Sequence, residues 1–240
     1  MDNKLLIDGD TLAYRAAYSC QDQPVDDAIE MVDDLLFNVI REVYWDADPD
    51  ELEDDMKIFL TGKGNFRYDI AVTHPYKGNR KGTEKPEHLE PIRKHMVKHW
   101  SAILSNGEEA DDLIGIWSTT YGPTTIVASI DKDMLQLPCH HYNPNRRTWT
   151  EVSEFEGLKF FYTQMLTGDT ADNIVGLYGI GPKKAEVLLA GAETECDMYL
   201  RVLQAYGEDT ERVLENGRLL WLRREEGQLW EAPLCASDQD

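Results

Sequence analysis

The stretch Leu5–Asp10, LLIDGD, decides how this chain folds. Three apolar residues lead directly into two carboxylates, Asp8 and Asp10. A short apolar run without alternation is typical of a strand that is buried on both faces of a mainly parallel sheet. Ligands of such sheets bind outside the carboxyl ends of the strands, where Asp8 falls. The stretch therefore predicts a buried parallel strand that ends in a polar site.

Further apolar runs and helical patterns alternate along the first 150 residues. The strand candidates are Met56–Thr61 (MKIFLT), the shorter Ile103–Leu104, and Thr124–Ser129 (TTIVAS). Apolar residues with helical spacing lie between them, over 25–43, 87–100 and 108–117. This alternation predicts an α/β fold with right-handed crossovers, in which a mostly parallel central sheet is flanked by helices over residues 1–150.

The chain changes character after about residue 150. Residues 155–166 have the pattern of an amphipathic helix that stops at Gly168, and further helices are expected at 182–190 and across 195–224. No strand of note is expected there. The pattern predicts a mostly helical subdomain over 151–240.

Composition narrows the class of protein. The 240 residues are 42% hydrophobic and carry a net charge of −21, so the chain has enough apolar residues for a real core. No apolar stretch approaches the roughly 20 residues that span a bilayer, and the N-terminus does not resemble a signal peptide. The four cysteines form no CxxC pair, which favours reduced thiols and a cytoplasmic location.

Four groups of carboxylates lie where a strand should end or a helix should begin. They are Asp8 and Asp10, Glu108–Asp112 (EEADD), Asp131 and Asp133 in SIDKD, and Asp169 and Asp172 in GDTADN. Each group has an ordinary explanation as well: acidic residues favour helix N-termini, and Asp forms turns and N-caps. If the groups meet in space, their mutual repulsion calls for divalent cations with oxygen ligands.

A basic segment follows in YKGNRKG, residues 76–82. It places Lys77, Arg80 and Lys81 around a flexible backbone, with Arg67 upstream and Tyr76 as an aromatic that could stack on a base. Such a loop suits a grip on a single strand of nucleic acid. The alternative is a solvated basic loop.

The stretch NIVGLYGIGPKKAEVLL, residues 173–189, has the pattern of a helix-hairpin-helix. It predicts a short helix, a turn with Gly179 and Gly181, and a second helix that begins at Pro182. Lys183 and Lys184 would add positive charge for a nucleic-acid backbone, bound without sequence preference. The alternative is a Gly-Pro turn between two core helices.

In this order, the motifs resemble those of the 5′-nuclease (flap endonuclease) superfamily, with the closest likeness to bacteriophage 5′→3′ exonucleases and the nuclease domain of bacterial DNA polymerase I. The resemblance implies a PIN-like sheet, a helical arch at about 76–100, and a helix-three-turn-helix that carries a hairpin at about 172–190. It also implies metal-dependent, structure-specific 5′→3′ exonuclease or flap endonuclease activity on DNA with 5′ ends, flaps or nicks, and on RNA–DNA hybrids. The enzyme would be a cytoplasmic monomer, in the host cytoplasm if it is phage-encoded.

The resemblance also implies roles for individual residues. Lys77 and Arg80 would contact the scissile phosphate, and a K⁺ ion would sit in the hairpin at Gly179 and Gly181. Two Mg²⁺ or Mn²⁺ ions would be held by eight carboxylates: Asp8, Glu109, Asp111, Asp112, Asp131, Asp133, Asp169 and Asp172. All of these residues except Asp169 would also be catalytic.

One departure from the family pattern concerns the end of the second strand. The family usually has an Asp there, in a stretch like LGDKG, where this chain reads LTGKG with Gly62 at that position. Asp10 is a candidate to replace the missing ligand. Because of this departure, one alternative function is an accessory DNA-binding protein without catalytic activity. The other alternative is a PIN-type ribonuclease.

Overall fold

The computed structural model describes residues 3–45, 48–52, 54–80 and 82–235, and within them two compact units. The first unit contains residues 1–64, 83–134 and 139–151. The second contains 65–82, 135–138 and 152–240. The basic segment therefore belongs to the second unit, although it lies within residues 1–150 in the sequence.

The first unit is built on a six-stranded sheet with the order β3-β2-β1-β4-β5-β6. All neighbours are parallel except β5 and β6, which form an antiparallel hairpin. The strands are β1 Leu5–Asp8, β2 Met56–Lys63, β3 Ile103–Asn106, β4 Ile126–Ala128, β5 His140–Asn143 and β6 Thr148–Glu151. The predicted mostly parallel sheet is confirmed, whereas the β5–β6 hairpin was not foreseen.

The strand order reverses at the centre of this sheet. β1 pairs with β2 on one side and with β4 on the other, so the connections leave in opposite directions. In an open α/β sheet this switch point leaves a crevice at the carboxyl ends of the central strands. Asp8 ends β1, and Asp131 follows β4 by three residues.

The described residues of the first unit form four α-helices, and three of them share its hydrophobic core, while the fourth, Ala110–Tyr121, packs against β1 and β2. The long α2 buries Ala28, Val32, Leu36 and Ile40 at helical spacing, as its sequence pattern predicted. Leu89, Ile92 and Met96 place α4 in the same core. The helices are α1 Gly9–Ser19, α2 Val25–Val43, α4 Leu89–His99 and α5 Ala110–Tyr121; a short α3, Arg67–Ile70, belongs to the second unit.

The second unit is mostly helical, as expected. Its core gathers aromatic side chains around Phe161, Tyr162 and Trp230. Besides α3 it contains α6 Glu154–Thr167, α7 Pro182–Leu188, α8 Glu195–Ala205 and α9 Thr210–Leu220, with the two-stranded β7 Gly168–Asp169 and β8 Ile174–Val175.

Two local expectations were wrong, and the arch expected at about 76–100 stays a prediction. The described residues of that range contain a 3-10 helix, Gly78–Arg80, and α4, which buries its apolar face in the first unit's core. The short helix expected at Asn173 is the strand β8, which pairs with β7. Cys196 and Cys235 form a disulfide, because α8 and the C-terminal segment bring their Cα atoms to 5.6 Å, whereas Cys20 and Cys139 are free and buried. Among the described residues, no helix is long and apolar enough to cross a membrane.

Candidate active site

Asp8 is a buried carboxylate at the carboxyl end of β1, with 2% of its surface exposed. Its Oδ2 accepts a hydrogen bond from Ser129 Oγ at 2.6 Å, and its Oδ1 accepts one from the backbone of Thr11 at 3.2 Å, which caps α1. Burial raises the pKa of Asp8 to about 7, and the charges of Asp10 and Asp131 raise it as well, against the two hydrogen bonds. The fold therefore holds Asp8 in a position where the ionised form of its side chain is disfavoured.

The first turn of α5 brings a second group of carboxylates to the same place. Burial holds the pKa of Asp111 well above its usual range, and the charges of Asp8, Glu109, Asp131 and Asp112 raise it further. Asp112 is fully buried and accepts a hydrogen bond from the backbone N–H of Glu109 at 3.1 Å, so it caps the helix. The helix-capping interpretation therefore holds for Asp112, whereas metal binding by the motif stays a prediction, with Asp111 lying within the field of its neighbours.

Asp131 and Asp133 differ in position, although the sequence spacing suggested that they point the same way. The backbone N–H of Asp131 donates to Ser129 Oγ at 2.9 Å, and Asp131 Oδ1 accepts a hydrogen bond from the Asp133 N–H at 2.9 Å. Asp133 lies in a 3-10 helix, Lys132–Gln136, where the alternation of a strand does not apply. Its carboxylate lies 3.8 Å from the Lys132 ammonium.

Together these carboxylates form what we call the acidic cluster of the first unit: Asp8, Asp10, Glu109, Asp111, Asp112 and Asp131. Carboxylate oxygens that repel one another in a buried place match the ligand preference of a hard divalent cation. Among the described residues, no three His, Cys, Asp or Glu side chains already stand as a closed metal site. The donor chemistry of the cluster therefore fits such an ion, and its side chains would have to close around it.

Asp10 of the acidic cluster forms an ion pair with Arg93, and both of its carboxylate oxygens accept hydrogen bonds. Arg93 donates to its Oδ1, and the backbone N–H of Thr61 donates to its Oδ2 at 2.7 Å. At Gly62, a Cβ atom would lie 1.9 Å from the carbonyl oxygen of Ser105, so no side chain fits at this position. The missing Asp at residue 62 is thus a consequence of how β2 packs against β3.

Asp169 and Asp172 belong to the second unit. Asp169 is buried, and its carboxylate accepts a hydrogen bond from the Ala171 N–H at 2.7 Å, as in an Asx-turn. Asp172 Oδ1 accepts a hydrogen bond from Arg80 Nη2 at 2.8 Å and lies 3.7 Å from Lys77 Nζ. Within their unit, the predicted phosphate-contacting pair therefore surrounds a predicted metal ligand.

Tyr76 completes this arrangement and corrects an expectation. Its hydroxyl donates to Asp172 Oδ2 at 2.7 Å, and its ring is 4% exposed. The ring packs in the second unit's core, so in this structure it cannot stack on a base.

A second correction concerns Arg67, which is 3% exposed and donates to the carbonyl oxygens of Leu219 and Trp221 at 2.9 Å. Arg67 is thus a structural cation, and Lys81 lies outside the described residues.

The turn before α7 is exposed, as a nucleic-acid contact requires. Gly179 has a φ of +74°, which glycine adopts most readily, and its carbonyl oxygen accepts a hydrogen bond from Lys184 Nζ at 2.8 Å. Gly181, Lys183 and Lys184 are exposed beside it. This hydrogen bond uses one of the two lone pairs of the carbonyl oxygen, and the K⁺ site in the turn stays a prediction.

Sequence reasoning missed Ser129 and the pairing of Arg93 with Asp10. Ser129 is the first residue of SIDKD and ends the apolar run, so a hydroxyl two residues before Asp131 was the available signal. Arg93 is 83 positions from its partner Asp10, and no local pattern connects the two. Only the packing of α4 does so.

Comparisons with known proteins agree with this arrangement. Residues 3–159, more than half of the chain, match the family of the 5′–3′ exonuclease N-terminal resolvase-like domain. A 5′–3′ exonuclease from Mycoplasma pneumoniae is 27% identical over 79% of this chain and 72% of its own length. The flap endonuclease Xni from Shewanella piezotolerans is 29% identical over 62% of this chain and 64% of its own. A DNA polymerase I from Bacillus caldotenax is 28% identical over 91% of this chain, which spans 27% of that polymerase.

Solved structures show the same fold. Bacteriophage T5 5′-exonuclease with bound divalent zinc superimposes with a TM-score of 0.69, 19% identity and coverage of 91% of this chain and 89% of that one. The fold and the matched sequence define a 5′ nuclease. The chain belongs to the 5′–3′ exonuclease family, and it is an enzyme of the 5′–3′ exonuclease and flap endonuclease class.

Proposed function

We propose that this protein is a divalent-metal-dependent 5′ nuclease that hydrolyses DNA at 5′ ends, flaps and nicks. The observation that carries the proposal is the convergence of Asp8, Asp111 and Asp131 at the carboxyl ends of the strands, where Asp8 is buried and the charges of the three carboxylates repel one another. A structure that keeps such a set together without a cation has an unfavourable charge to neutralise. Two Mg²⁺ or Mn²⁺ ions would serve here, as divalent ions do in the T5 enzyme's crystals.

The acidic cluster would hold the ions through Asp8, Glu109, Asp111 and Asp131, with Asp169 and Asp172 proposed as further ligands. Bound ions would supply Lewis acidity to an in-line attack of water on phosphorus. Ser129 fixes Asp8 through its 2.6 Å hydrogen bond, and its Oγ also holds the backbone of Asp131, so one hydroxyl orients two of the carboxylates.

Lys77 and Arg80 are proposed to stabilise negative charge on the phosphoryl oxygens. In the protein alone both lie against Asp172, so a phosphate would have to compete with that carboxylate for them. Their pairing keeps the basic segment in place before substrate arrives: the backbone N–H of Lys77 donates to Asp172 O at 2.8 Å, and Arg80 Nε donates to Ala171 O at 3.1 Å.

The exposed turn of the second unit is proposed to hold duplex DNA. Gly179 and Gly181 give the backbone a close approach to phosphate, and Lys183 and Lys184 supply charge. A K⁺ ion beside Gly179 and Gly181 stays part of the proposal, since the Gly179 carbonyl oxygen has a second lone pair besides the one that accepts from Lys184. The T5 flap endonuclease crystallised with DNA and metal ions supports a DNA substrate, and RNA–DNA hybrids extend the proposal.

Cleavage of a 5′-flap, a nicked duplex and an RNA–DNA hybrid, each with Mg²⁺ and with EDTA, tests the function. We expect cleavage of the DNA substrates with Mg²⁺ only, and a loss of about 10³-fold in Asp131→Asn with unchanged DNA binding, because the variant removes ligand charge and not a DNA contact. Asp22→Asn, an exposed carboxylate of the same unit, is the matched control and should cleave normally. Full turnover by Asp131→Asn in Mg²⁺ would refute the assignment.

A further inference from the structure

Arg93 is a cation that lies within the acidic cluster, where it is paired with Asp10. The mechanism proposed above does not use it. Its guanidinium donates to Asp10 Oδ1 and to the backbone oxygen of Thr61. The side chains of Arg93 and Asp10 are 15% and 19% exposed, so water screens the pair only in part. Asp10 is close enough to Asp8 to raise its pKa. The guanidinium is therefore a fixed positive charge within the acidic cluster.

The fold holds this pair firmly on both sides. Leu89, Ile92 and Met96 of α4 are fully buried in the core, which fixes the helix that carries Arg93. Asp10 Oδ2 is held by the Thr61 N–H at 2.7 Å, at the end of β2. Asp10 thus has both oxygens engaged by the protein, and a cation that used them would have to displace a hydrogen-bonded ion pair.

Position 62, near the end of β2, has no room for a side chain. The N–H of Gly62 donates to Ser105 Oγ at 3.0 Å, and an added Cβ would meet the Ser105 carbonyl. Position 62 therefore adds no carboxylate beside Asp10, whose charge Arg93 neutralises.

We propose that Arg93 sets the divalent-ion affinity of this nuclease by holding Asp10 out of the ligand set. The ions of the first unit would then be bound by Asp8, Glu109, Asp111 and Asp131, and the guanidinium would weaken their binding through like-charge repulsion. The inference rests on the proposed function, because it concerns the ions of the same site. Arg93 is a positioning residue in this scheme, since it acts through Asp10 and through its charge.

Mn²⁺ binding to the full chain, measured by calorimetry at low ionic strength, tests the proposal without a cleavage assay. Arg93→Met should bind Mn²⁺ about tenfold more tightly, because it removes a positive charge a few ångströms from a divalent ion. Arg93→Lys, which keeps the charge, should bind as the wild type does. Lys94→Met removes the same charge from the next, exposed position of α4 and should change little.

The double variant Arg93→Met with Asp10→Asn separates the two possible roles of Asp10. If Asp10 is held out of the ligand set, removal of both partners restores the wild-type Mn²⁺ affinity. A tenfold weaker affinity in the double variant would make Asp10 a ligand and overturn the proposal, as would unchanged affinity in Arg93→Met.

Thermal unfolding in EDTA gives a second readout. Arg93→Met should unfold at a lower temperature than the wild type, because Asp10 then repels Asp8 without a counter-charge, and the double variant should recover; no recovery would count against the pairing. Wild-type protein that binds no Mn²⁺ would overturn the metal site and this inference together. Wild-type binding with an unaltered Arg93→Met variant would overturn the inference alone.

Discussion

The two units of this protein treat their carboxylates in opposite ways. In the first unit, Asp8 and Asp111 face other carboxylates, and their pKa values rise because burial and like charges disfavour ionisation. In the second unit, Asp172 receives a guanidinium, an ammonium and a phenolic hydroxyl from one short segment. A cation from solution would stabilise the first arrangement, whereas in the second arrangement Arg80 and Lys77 of the chain already lie beside the carboxylate.

This difference separates two uses of the same residue type that sequence patterns treat alike. In the sequence, the carboxylates of both units lie at a turn or at the start of a helix, and both sets are predicted metal ligands. The surroundings differ: a buried set of like charges makes metal binding favourable, while a carboxylate with three donors stabilises the local fold in the absence of any ion. The same substitution should therefore have opposite effects on the stability of the metal-free protein.

Replacement of aspartate by asparagine, at Asp111 in the first unit and at Asp172 in the second, is expected to have the largest effect. In EDTA, Asp111→Asn should raise the unfolding temperature by a few degrees, because a repelling charge becomes neutral. Asp172→Asn should lower it by about 2–6 °C, because Arg80 and Tyr76 lose their acceptor. Cleavage with Mg²⁺ should fall by about 10³-fold in Asp111→Asn. Calorimetric melting and a flap assay measure both, and shifts of the same sign would remove the distinction between the units.

The pH dependence of stability is the second expected effect. Asp8 has a pKa of about 7 in the folded protein against 3.8 as its ordinary value, so the folded state binds its proton more tightly than the unfolded state does. Stability from this group is complete below pH 4 and is lost as the pH rises to 7, by an amount of the order of a few kcal/mol.

The wild type and Asp8→Asn, both in EDTA, isolate this contribution. The wild type should lose stability relative to the variant between pH 4 and 7. Added Mg²⁺ should reduce that loss, because an ion replaces the proton. A stability difference that stays constant across this range would mean that Asp8 ionises normally.

The smallest expected effect tests the role of Tyr76. Tyr76→Phe keeps an aromatic ring and removes the hydroxyl that donates to Asp172, so we expect a loss of about 1 kcal/mol, or 2–4 °C. Tyr68→Phe is the matched control, since Tyr68 is exposed and its ring contacts that of Tyr76 edge-on at 5.5 Å. Loss of DNA affinity in Tyr76→Ala together with a fully stable Tyr76→Phe would restore base stacking as the role of this residue.

Much of the fold and part of the site follow from local sequence. The apolar runs that became β1, β2 and β4 needed no alternation, because both of their faces are buried, and the period of α2 needed only one buried face. The edge hairpin β5–β6 escaped detection because the residues of β6 are all exposed, so no apolar pattern marks that strand. The same limit applies to Tyr76 and Arg67, whose polar ends suggested surface positions while the tertiary structure buried them.

The sequence by itself determined the alternation of strands and helices, the carboxylates at the ends of β1 and β4, and the family. These depend on spacing and residue type within a few turns of chain. The tertiary structure alone decided that Asp10 is paired with Arg93, that position 62 has no room for a side chain, and that Asp172 is neutralised by its own unit. Charge neutralisation and close packing depend on contacts between residues that are far apart in the sequence, and a local sequence pattern does not contain that information.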